Sequence, residues 1–294
     1  MPEQVKKKSK FIAGITWKRI VVWIVIFVLL AVYLIYQNNS LRIREEIVQS
    51  KNLPSAFDGF KIVHISDLHE KEFGENHSTL IGMIKECNPD IIVITGDLID
   101  FQNTYVERSL NFVKGAIDIA PIYYVNGNHE SRVSEYKDLR DGLLKLGVTV
   151  LENQTVQFEK DGEQINITGL IDTDFPDSHF PLTTLEKRVR REMEPIFVDE
   201  GYTLLLAHRP EYFPIYAEFG ADLALTGHAH GGQVRLPFTD GLFAPAQGVF
   251  PKYTSGPYRD GDTTMIVSKG IGNSTFPFRV NNPPEIVSIT LKCE

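Results

Sequence analysis

The sequence predicts an α/β protein: a four-layer α-β-β-α sandwich of two mixed sheets, preceded by one N-terminal transmembrane helix. Three observations lead to this prediction. Short apolar segments first alternate with helical segments, which is typical of α/β layers. Later strand segments follow one another without helices between them, and a sheet that receives strands of both kinds is mixed. An uninterrupted apolar run stands near the N-terminus.

The predicted elements form one catalytic-sized domain from about residue 50 to the end. Strands that alternate with helices are predicted at 61–65, 90–95, 121–125, 202–207 and 221–225. Helices are predicted at 78–87, 104–116, 131–146, 182–193 and 211–219. Strands without intervening helices are predicted at 155–158, 165–170, 233–236, 263–268 and 285–291, and an outer strand at 41–48.

The composition is that of an ordinary globular protein with excess negative charge. Hydrophobic residues make up 43% of the 294 residues, which is enough for a sizeable core. The formal net charge of -8 argues against a nucleic-acid partner, because neutralising phosphates takes a surplus of Lys and Arg. The two cysteines, Cys87 and Cys293, predict no disulfide framework.

The apolar run at 20–36 is predicted to be a membrane anchor. Its 17 residues lie at the short end of what spans a bilayer as a helix. Basic residues crowd the segment before the run: Lys6, Lys7, Lys8, Lys10, Lys18 and Arg19. Only Arg42 and Arg44 follow it closely, and this bias predicts a cytoplasmic N-terminus. A cleaved signal peptide is the competing interpretation, but no small-x-small cleavage site follows the run.

These assignments divide the chain into four parts. They are a basic cytoplasmic tail over 1–19, the transmembrane anchor over 20–36, a linker with the outer strand over 37–52, and the catalytic domain over 53–294. The expected location is the cell membrane, with a single pass, contact with the lipid bilayer through residues 20–36 and an extracytoplasmic catalytic domain.

Each of the five core strands is followed by carboxylate, amide or imidazole side chains. In chain order they are Asp67, His69, Asp97, Asp100, Asn128, His129, Glu130, His208, His228 and His230. The carboxyl ends of strands in an open α/β sheet meet at one edge, so these side chains should cluster in space. Of the other histidines, His64 is predicted to be a satisfied core or supporting residue, and His77 and His179 are predicted to lie in solvated loops.

The donor types in this set fit two metal ions. Two cations about 3.5–4 Å apart need a bridging ligand, and a carboxylate with its two oxygens is the natural bridge. Imidazole nitrogen suits Mn, Zn, Fe or Ni, whereas an all-oxygen set would indicate Mg or Ca. A single strand-end carboxylate more often caps a helix than binds metal, so it is the ordered set that predicts a dinuclear site.

The same residues, taken in order, resemble the signature of the calcineurin-like metallophosphoesterases. The matching segments are Asp67-x-His69, Gly96-Asp97-x-x-Asp100, Gly127-Asn128-His129-Glu130, His208 and Gly227-His228-x-His230. The resemblance covers about residues 60–235. Gly-His-x-His-Gly-Gly-Gln at 227–233 and Phe-Asp-Gly-Phe at 57–60 resemble its membrane-anchored or exported phosphodiesterases, which include relatives that act on UDP-2,3-diacylglucosamine.

This resemblance implies a role for each strand-end residue. The ligands of the first metal are Asp67, His69, Asp97 and His230, and those of the second are Asp97, Asn128, His208 and His228, with Asp97 bridging. His129 is the implied catalytic residue, near the substrate phosphate and not on a metal. Asp100 and Glu130 are expected to hold imidazole or amide groups in orientation.

The implied function is that of a membrane-anchored, dinuclear-metal phosphoesterase. It would hydrolyse phosphodiester bonds, or alternatively phosphomonoester bonds, with metal-activated hydroxide, and an envelope or lipid-linked phosphoester is the expected substrate. Phe175, Phe180, Phe243, Phe250, Phe276 and Phe278 are hypothesised to form an apolar mouth for a lipid tail; packing of loops onto the domain is the alternative. A metal-dependent binding protein, or a structural envelope protein without turnover, remains the other functional interpretation. The native metals and the oligomeric state stay open.

Overall fold

The structure is a computed structural model that describes residues 17–176, 184–198, 200–236, 238–273 and 276–294. Its α-helices are Trp17–Asn39 (α1), Ser78–Cys87 (α2), Val106–Ala116 (α3), Tyr136–Lys145 (α4), Leu185–Met193 (α5) and Phe213–Glu218 (α6). Its first seven strands are Arg42–Ser50 (β1), Lys61–Ile65 (β2), Ile91–Thr95 (β3), Ile122–Val125 (β4), Thr149–Val150 (β5), Gln154–Lys160 (β6) and Glu163–Gly169 (β7). The others are Thr203–Leu206 (β8), Leu223–Thr226 (β9), Phe243–Ala244 (β10), Gly248–Val249 (β11), Gly256–Asp260 (β12), Thr263–Val267 (β13) and Glu285–Cys293 (β14).

Two six-stranded mixed sheets make up the body of the domain. The first has the order β1-β14-β2-β3-β4-β5, in which β2 to β5 are parallel and β14 runs antiparallel to β2. The second has the order β12-β13-β9-β8-β7-β6, with four parallel strands between antiparallel edges. The prediction of two mixed sheets is confirmed.

The sheets pack face to face, and helices cover their outer faces. In β3, Ile91 and Val93 point between the sheets, whereas Ile92 and Ile94 point toward α2, α3 and α4. Because a strand buried on both faces needs apolar residues at every position, the sequence of β3 is an unbroken apolar run. Helices α5 and α6 cover the second sheet through Met193 and Phe213. The layers are therefore α-β-β-α, as predicted.

The predicted outer strand is confirmed as β1, and it belongs to the first sheet. All nine of its residues pair in parallel with β14, from Arg42 opposite Glu285 to Ser50 opposite Cys293. Arg44 donates a hydrogen bond from Nε to Glu285 Oε1 (3.0 Å) across this pair. The segment that follows the apolar helix is thus an edge strand of the first sheet as well as a linker.

The strand predicted at 233–236 is wrong. Here the chain makes only isolated bridges, Val234 to Val280 and Arg235 to Gly241. Gln233 has a φ of 59°, so the chain turns there and does not enter a sheet. The helix predicted at 131–146 is also too long, because a short 3₁₀ turn over Glu130–Arg132 and the extended Val133 precede α4.

The prediction that His77 is solvated is also wrong. Its ring is buried, with its centroid 5.7 Å from that of Phe112, and its Nε2–H donates to the carbonyl of Arg108 (3.2 Å). The prediction for His64 is confirmed: the residue is buried in β2, and its Nε2 lies 2.7 Å from Thr95 Oγ1. His179 and Phe180 lie outside the described residues.

Helix α1 contains the predicted apolar run and is long and apolar enough to cross a membrane, by length and composition alone. The helix ends at Asn39, and β1 begins shortly after it, at Arg42. Its last turns touch the domain: Tyr33 Oη donates to Asn281 Oδ1 (2.6 Å), and the Arg279 N–H donates to Asn38 Oδ1 (3.0 Å). The helix is therefore attached to the domain by side-chain contacts as well as by the chain.

The Arg279 guanidinium is fully buried and holds a loop together. It donates from Nη2 to the carbonyls of Gly272 (2.6 Å) and Lys269 (2.9 Å). The Gly272 N–H in turn donates to the carbonyl of Asp67 (2.6 Å), so the loop is packed against the end of β2. Burial lowers the pKa of Arg279 to about 10, which still leaves the group charged at neutral pH.

Replacing Arg279 with Met should lower the free energy of unfolding by about 3 kcal/mol, because buried carbonyls lose charged donors. The control is Arg259→Met, at an exposed arginine on β12, which should change it by less than about 0.5 kcal/mol. Urea unfolding of the detergent-solubilised chain, followed by circular dichroism, measures both. Similar losses in the two variants would contradict the role given to Arg279.

Candidate metal centre

The strand-end residues meet at the carboxyl ends of β2, β3, β4, β8 and β9. Five of them have left-handed backbone conformations: Asp67, His69, Asp97, His228 and His230, with φ between 45° and 61°. Such conformations cost about 1–3 kcal/mol each in a residue other than glycine. The backbones also approach closely, since a Cβ on Gly227 would lie 1.8 Å from Ser66 Oγ. The fold thus accepts strain to bring these side chains together.

A first cluster joins Asp67, His69, Asp97 and His230, whose candidate ligand atoms all lie within 4.8 Å of one another. The Nε2 atoms of His69 and His230 are 3.2 Å apart. Asp67 Oδ1 lies 3.4 Å from His230 Nε2, and Asp97 Oδ2 lies 3.7 Å from His69 Nε2. Asp67 is held in place by the His228 N–H, which donates to both of its carboxylate oxygens at 3.1 Å.

A second cluster joins Asp97, His208 and His228, and Asn128 lies beside it. His208 Nε2 lies 3.1 Å from Asn128 Oδ1, 3.1 Å from His228 Nδ1 and 3.3 Å from Asp97 Oδ2. Its other nitrogen, Nδ1, donates to the carbonyl of Thr95 (2.7 Å) and so fixes the ring. The Asp97 carboxylate is common to both clusters.

The donor set fits divalent cations. Ligand nitrogens on one ion with bonds of about 2.0–2.1 Å are about 3 Å apart, as the paired imidazole nitrogens are here. Because Nδ1 of His208 donates to a carbonyl, Nε2 of the neutral ring is an acceptor. It faces an amide oxygen and a carboxylate oxygen, which are also acceptors. Such a convergence of acceptors is stable only around a positive charge. Buried His228 Nε2, His69 Nδ1 and His230 Nδ1 have no hydrogen-bond partner among the described residues.

Burial favours the neutral forms of most of these groups, and His208 is the exception. Burial raises the pKa of Asp67 to about 6 and lowers that of His69 to about 3. Burial alone would lower the pKa of His208, but the Asp97 carboxylate raises it to about 10. Without metal ions, a proton on His208 is the charge that balances Asp97.

Glu130 is fully buried and binds main-chain N–H groups of two loops. Its Oε2 accepts from Asp97 (2.9 Å) and Gly127 (2.8 Å), and its Oε1 accepts from Leu98 (2.7 Å) and Ile99 (3.2 Å). Burial raises the pKa of Glu130 to about 7, although these donors favour the charged form. Glu130 therefore orients the backbone of Asp97, and no imidazole among the described residues hydrogen-bonds to it.

His129 lies at the edge of the two clusters. The Phe101 N–H donates to its Nδ1 (3.3 Å), so in the neutral ring the proton resides on Nε2. That Nε2 lies 3.9 Å from Asp97 Oδ2. Asp100 Oδ1 is 3.7 Å from His129 Nδ1, which is an electrostatic contact and not a hydrogen bond. His69, Asp100 and His129 also form a third group of converging ligand atoms.

A pocket of about 230 Å³ opens over the clusters, and two arginines that were not predicted for the site line it. They are Arg132 and Arg209, joined by Asp174, whose two oxygens accept from Arg132 (2.8 Å) and Arg209 (2.8 Å). Arg209 directly follows His208, and Arg132 is three residues after His129. A basic residue so close in sequence to a predicted site residue is the signal that would have found them.

The hypothesised apolar mouth divides into two groups of phenylalanines. Phe175 is half-buried and packs against Tyr136 with ring centroids 5.1 Å apart, as the packing alternative expects. Phe243, Phe250, Phe276 and Phe278 are exposed. Among the described members of the set, the second group is the one available to a ligand.

A family model for calcineurin-like phosphoesterases matches residues 60–232, the span that carries both clusters. The chain belongs to the calcineurin-like phosphoesterase family. The family and the residue clusters together suggest a dinuclear metal centre, and the protein is a metal-dependent phosphoesterase hydrolase.

Similar proteins include two whose names contain metallophosphoesterase and one named a phosphodiesterase. The Bacillus subtilis protein named uncharacterized metallophosphoesterase YkuE is 35% identical over 263 residues, which cover 84% of this chain and 84% of the relative. The phosphodiesterase YaeI of Escherichia coli is 29% identical over 242 residues, 79% of this chain and 82% of the relative. A Danio rerio transmembrane protein with metallophosphoesterase domain is 26% identical over 296 residues, 98% of this chain and 66% of the relative.

The fold is also similar to a solved structure, that of TT1561 from Thermus thermophilus. The TM-score is 0.50 at 11% identity, covering 72% of this chain and 90% of that protein. At this identity the likeness bears on the fold alone.

Replacing Glu130 with Gln should destabilise the protein by about 3 kcal/mol, because an amide nitrogen cannot accept from the N–H groups that one carboxylate oxygen now holds. The matched control is Glu135→Gln, at an exposed position five residues later, with an expected change below about 0.5 kcal/mol. Thermal unfolding of the detergent-solubilised chain checks this. Equal melting temperatures for the two variants would contradict it.

Proposed function

We propose that the protein is a membrane-anchored, dinuclear-metal phosphoesterase that hydrolyses phosphodiesters in preference to phosphomonoesters. The observation that carries the proposal is the position of Asp97, whose Oδ2 lies within 3.7 Å of His69 Nε2 and within 3.3 Å of His208 Nε2. One carboxylate between two sets of imidazoles is the arrangement that a metal pair requires.

The ligands of the first metal would be Asp67, His69, Asp97 and His230, and those of the second Asp97, Asn128, His208 and His228. The imidazole nitrogens in both sets favour Mn, Zn, Fe or Ni over Mg or Ca. When bound, the two ions would supply a water activated for attack and positive charge for the phosphate oxygens.

The remaining side chains would act on the substrate and the leaving group. His129 Nε2 carries the proton of the neutral ring and lines the pocket, so it would hydrogen-bond to the phosphate. When both ring nitrogens are protonated, the ring would donate a proton to the departing oxygen. Arg132 is half-exposed at the same pocket. Its guanidinium would release the Asp174 carboxylate and bind a phosphate oxygen of the substrate instead. Glu130 would keep Asp97 in place through its backbone, and Asp100 would stabilise the His129 ring when that ring is positively charged.

The anchor is part of the proposal. Helix α1 would span the membrane with the basic tail, residues 1–19, in the cytoplasm and the catalytic domain, residues 53–294, outside. The Danio rerio relative is named a transmembrane protein, which supports a membrane location. A short connection to β1 would keep the centre near the outer leaflet, and an envelope or lipid-linked phosphoester is therefore the expected substrate.

The alternative is a metal-dependent membrane-associated binding or structural protein without turnover. His129 argues against it, because a protein that only binds has no use for an imidazole with its proton aimed into the pocket.

The purified full-length chain, reconstituted with Mn, Zn, Fe or Ni, should hydrolyse bis-p-nitrophenyl phosphate faster than the p-nitrophenyl monoester. Release of p-nitrophenol at neutral pH measures both rates. Inactivity with every metal would support the binding alternative, and activity on the monoester alone would exclude the preference for diesters.

Replacing His129 with Ala should lower kcat about 10²–10⁴-fold while both metals stay bound, because a proton donor is lost and no ligand is. Asp97→Ala should instead lose both metals, since both sets share its carboxylate. Metal content by inductively coupled plasma mass spectrometry, beside kcat, separates the two, and Asp118→Ala at an exposed site is the control. A His129→Ala protein that loses metal would assign this residue to a ligand set.

A further inference from the structure

We infer that an exposed set of phenylalanines beside α1 inserts into the lipid bilayer and seats the mouth of the metal centre at the level of the lipid headgroups. The inference rests on the proposed membrane anchoring. The set, called the phenylalanine rim below, consists of Phe238, Phe243, Phe250, Phe276 and Phe278.

The rim is exposed to a degree that is unusual for phenylalanine on a domain surface. Phe238 and Phe250 are 107% and 68% exposed, and the other three are between 44% and 51% exposed. Phe250 is tied to the strand pair β10–β11 by its N–H, which donates to the carbonyl of Leu242 (2.9 Å). The ring centroids of Phe276 and Phe278 are 6.0 Å apart, and Phe276 and Phe243 line one cavity. Exposed apolar surface that clusters in this way marks an interaction site.

The rim is continuous with the membrane-spanning helix. Pro277 lies between two rim residues, Phe276 and Phe278, and its carbonyl accepts from Asn38 Nδ2 in the last turn of α1 (3.3 Å). The Asn281 amide donates from Nδ2 to the carbonyl of Arg235 (3.0 Å), which connects this loop to the turn that carries Phe238. The aromatic surface therefore starts where the helix leaves the bilayer.

This position decides between possible occupants of the rim. The loop that carries Phe276 and Phe278 contacts the last turn of α1, so these rings would lie at the depth of the membrane interface, where aromatic side chains are favoured. Lys252 is exposed and lies two residues after Phe250, so it could bind anionic lipid headgroups while the phenylalanine rings insert into the bilayer. A soluble partner protein would have to displace lipid to reach the same surface. The bilayer is the occupant that the structure favours.

Insertion of the rim has a consequence for the metal centre. A cavity of about 640 Å³ lies inside the rim and is lined by Phe243, Phe276 and Pro245. Pro245 also lines the pocket over the clusters, together with His129 and Arg132. Pro245 thus lies between an apolar cavity that would open toward lipid and the pocket that would hold the phosphate. A lipid phosphoester would reach the centre without leaving the membrane.

The test measures the depth of single labels on the full-length chain in nanodiscs of phosphatidylcholine and phosphatidylglycerol. The background is Cys293→Ser, because Cys87 is buried and Cys293 is exposed. Phe250→Cys and Phe238→Cys carry an environment-sensitive nitrobenzoxadiazole label. Asp161→Cys is the control, in the turn between β6 and β7, at the edge of the second sheet opposite the carboxyl ends of its parallel strands.

We expect labels at 238 and 250 to emit at shorter wavelength than the label at 161 and to lose roughly half their emission to nitroxide-labelled lipid, as groups at the acyl boundary do. The label at 161 should be quenched by aqueous iodide alone. Iodide quenching at all three sites would overturn the inference. Protection from iodide without quenching by lipid would also overturn it and assign the rim to protein contact. Hydrolysis of bis-p-nitrophenyl phosphate is measured separately, so a failure of the proposed reaction leaves the depth result readable.

Discussion

The buried carboxylate of Glu130 is the interaction on which the centre depends. Its two oxygens hold four main-chain N–H groups, from the loops after β3 and β4. Those loops carry Asp97, Asn128 and His129. The His129 N–H then donates to Asp97 Oδ1 (2.9 Å), which leaves Oδ2 to face both sets of imidazoles. A charge in a dry interior needs several good donors. If the two loops moved apart, the buried carboxylate would lose these donors, and the free energy of the folded chain would rise.

The centre combines backbone strain with electrostatic conflict, and the two sheets hold both in place. Left-handed residues at the strand ends and several acceptors in contact raise the free energy of the folded chain locally. The apolar layers between the sheets and beneath the helices offset this locally unfavourable arrangement. Cations that bind between Asp67, Asp97 and the imidazoles would relieve the conflict, so metal binding and folding stability are linked. The packing of the surrounding fold therefore keeps the strained strand ends in their positions.

Local signals made much of the fold and of the centre accessible from the sequence. Strand β2 and helix α2 lie at the predicted residues, and the strand-end residues converge because parallel strands place their carboxyl ends at one edge. The segment at 233–236 had a strand-like pattern, but within the described part of the chain it makes only isolated bridges, to Val280 and Gly241. Whether such a pattern pairs into a sheet depends on the whole fold. His77 was misjudged because the ring that buries it, Phe112, lies 35 positions away. The partners of Glu130 are main-chain N–H groups, which every sequence has. No pattern of residue types could therefore predict these hydrogen bonds.

The order of strands in the first sheet also bears on how the chain matures. Strand β14 lies between β1 and β2 although it follows every other strand in the sequence, and Arg44 and its partner Glu285 are 241 positions apart. During synthesis, β1 and β2 emerge well before β14, so the edges that pair with it stay open until residues 285–293 arrive. Pairings between distant segments form slowly because a long loop must close first. Completion of this sheet is therefore later than the pairing of β2 to β5, and loss of residues 285–293 would remove an internal strand of the sheet.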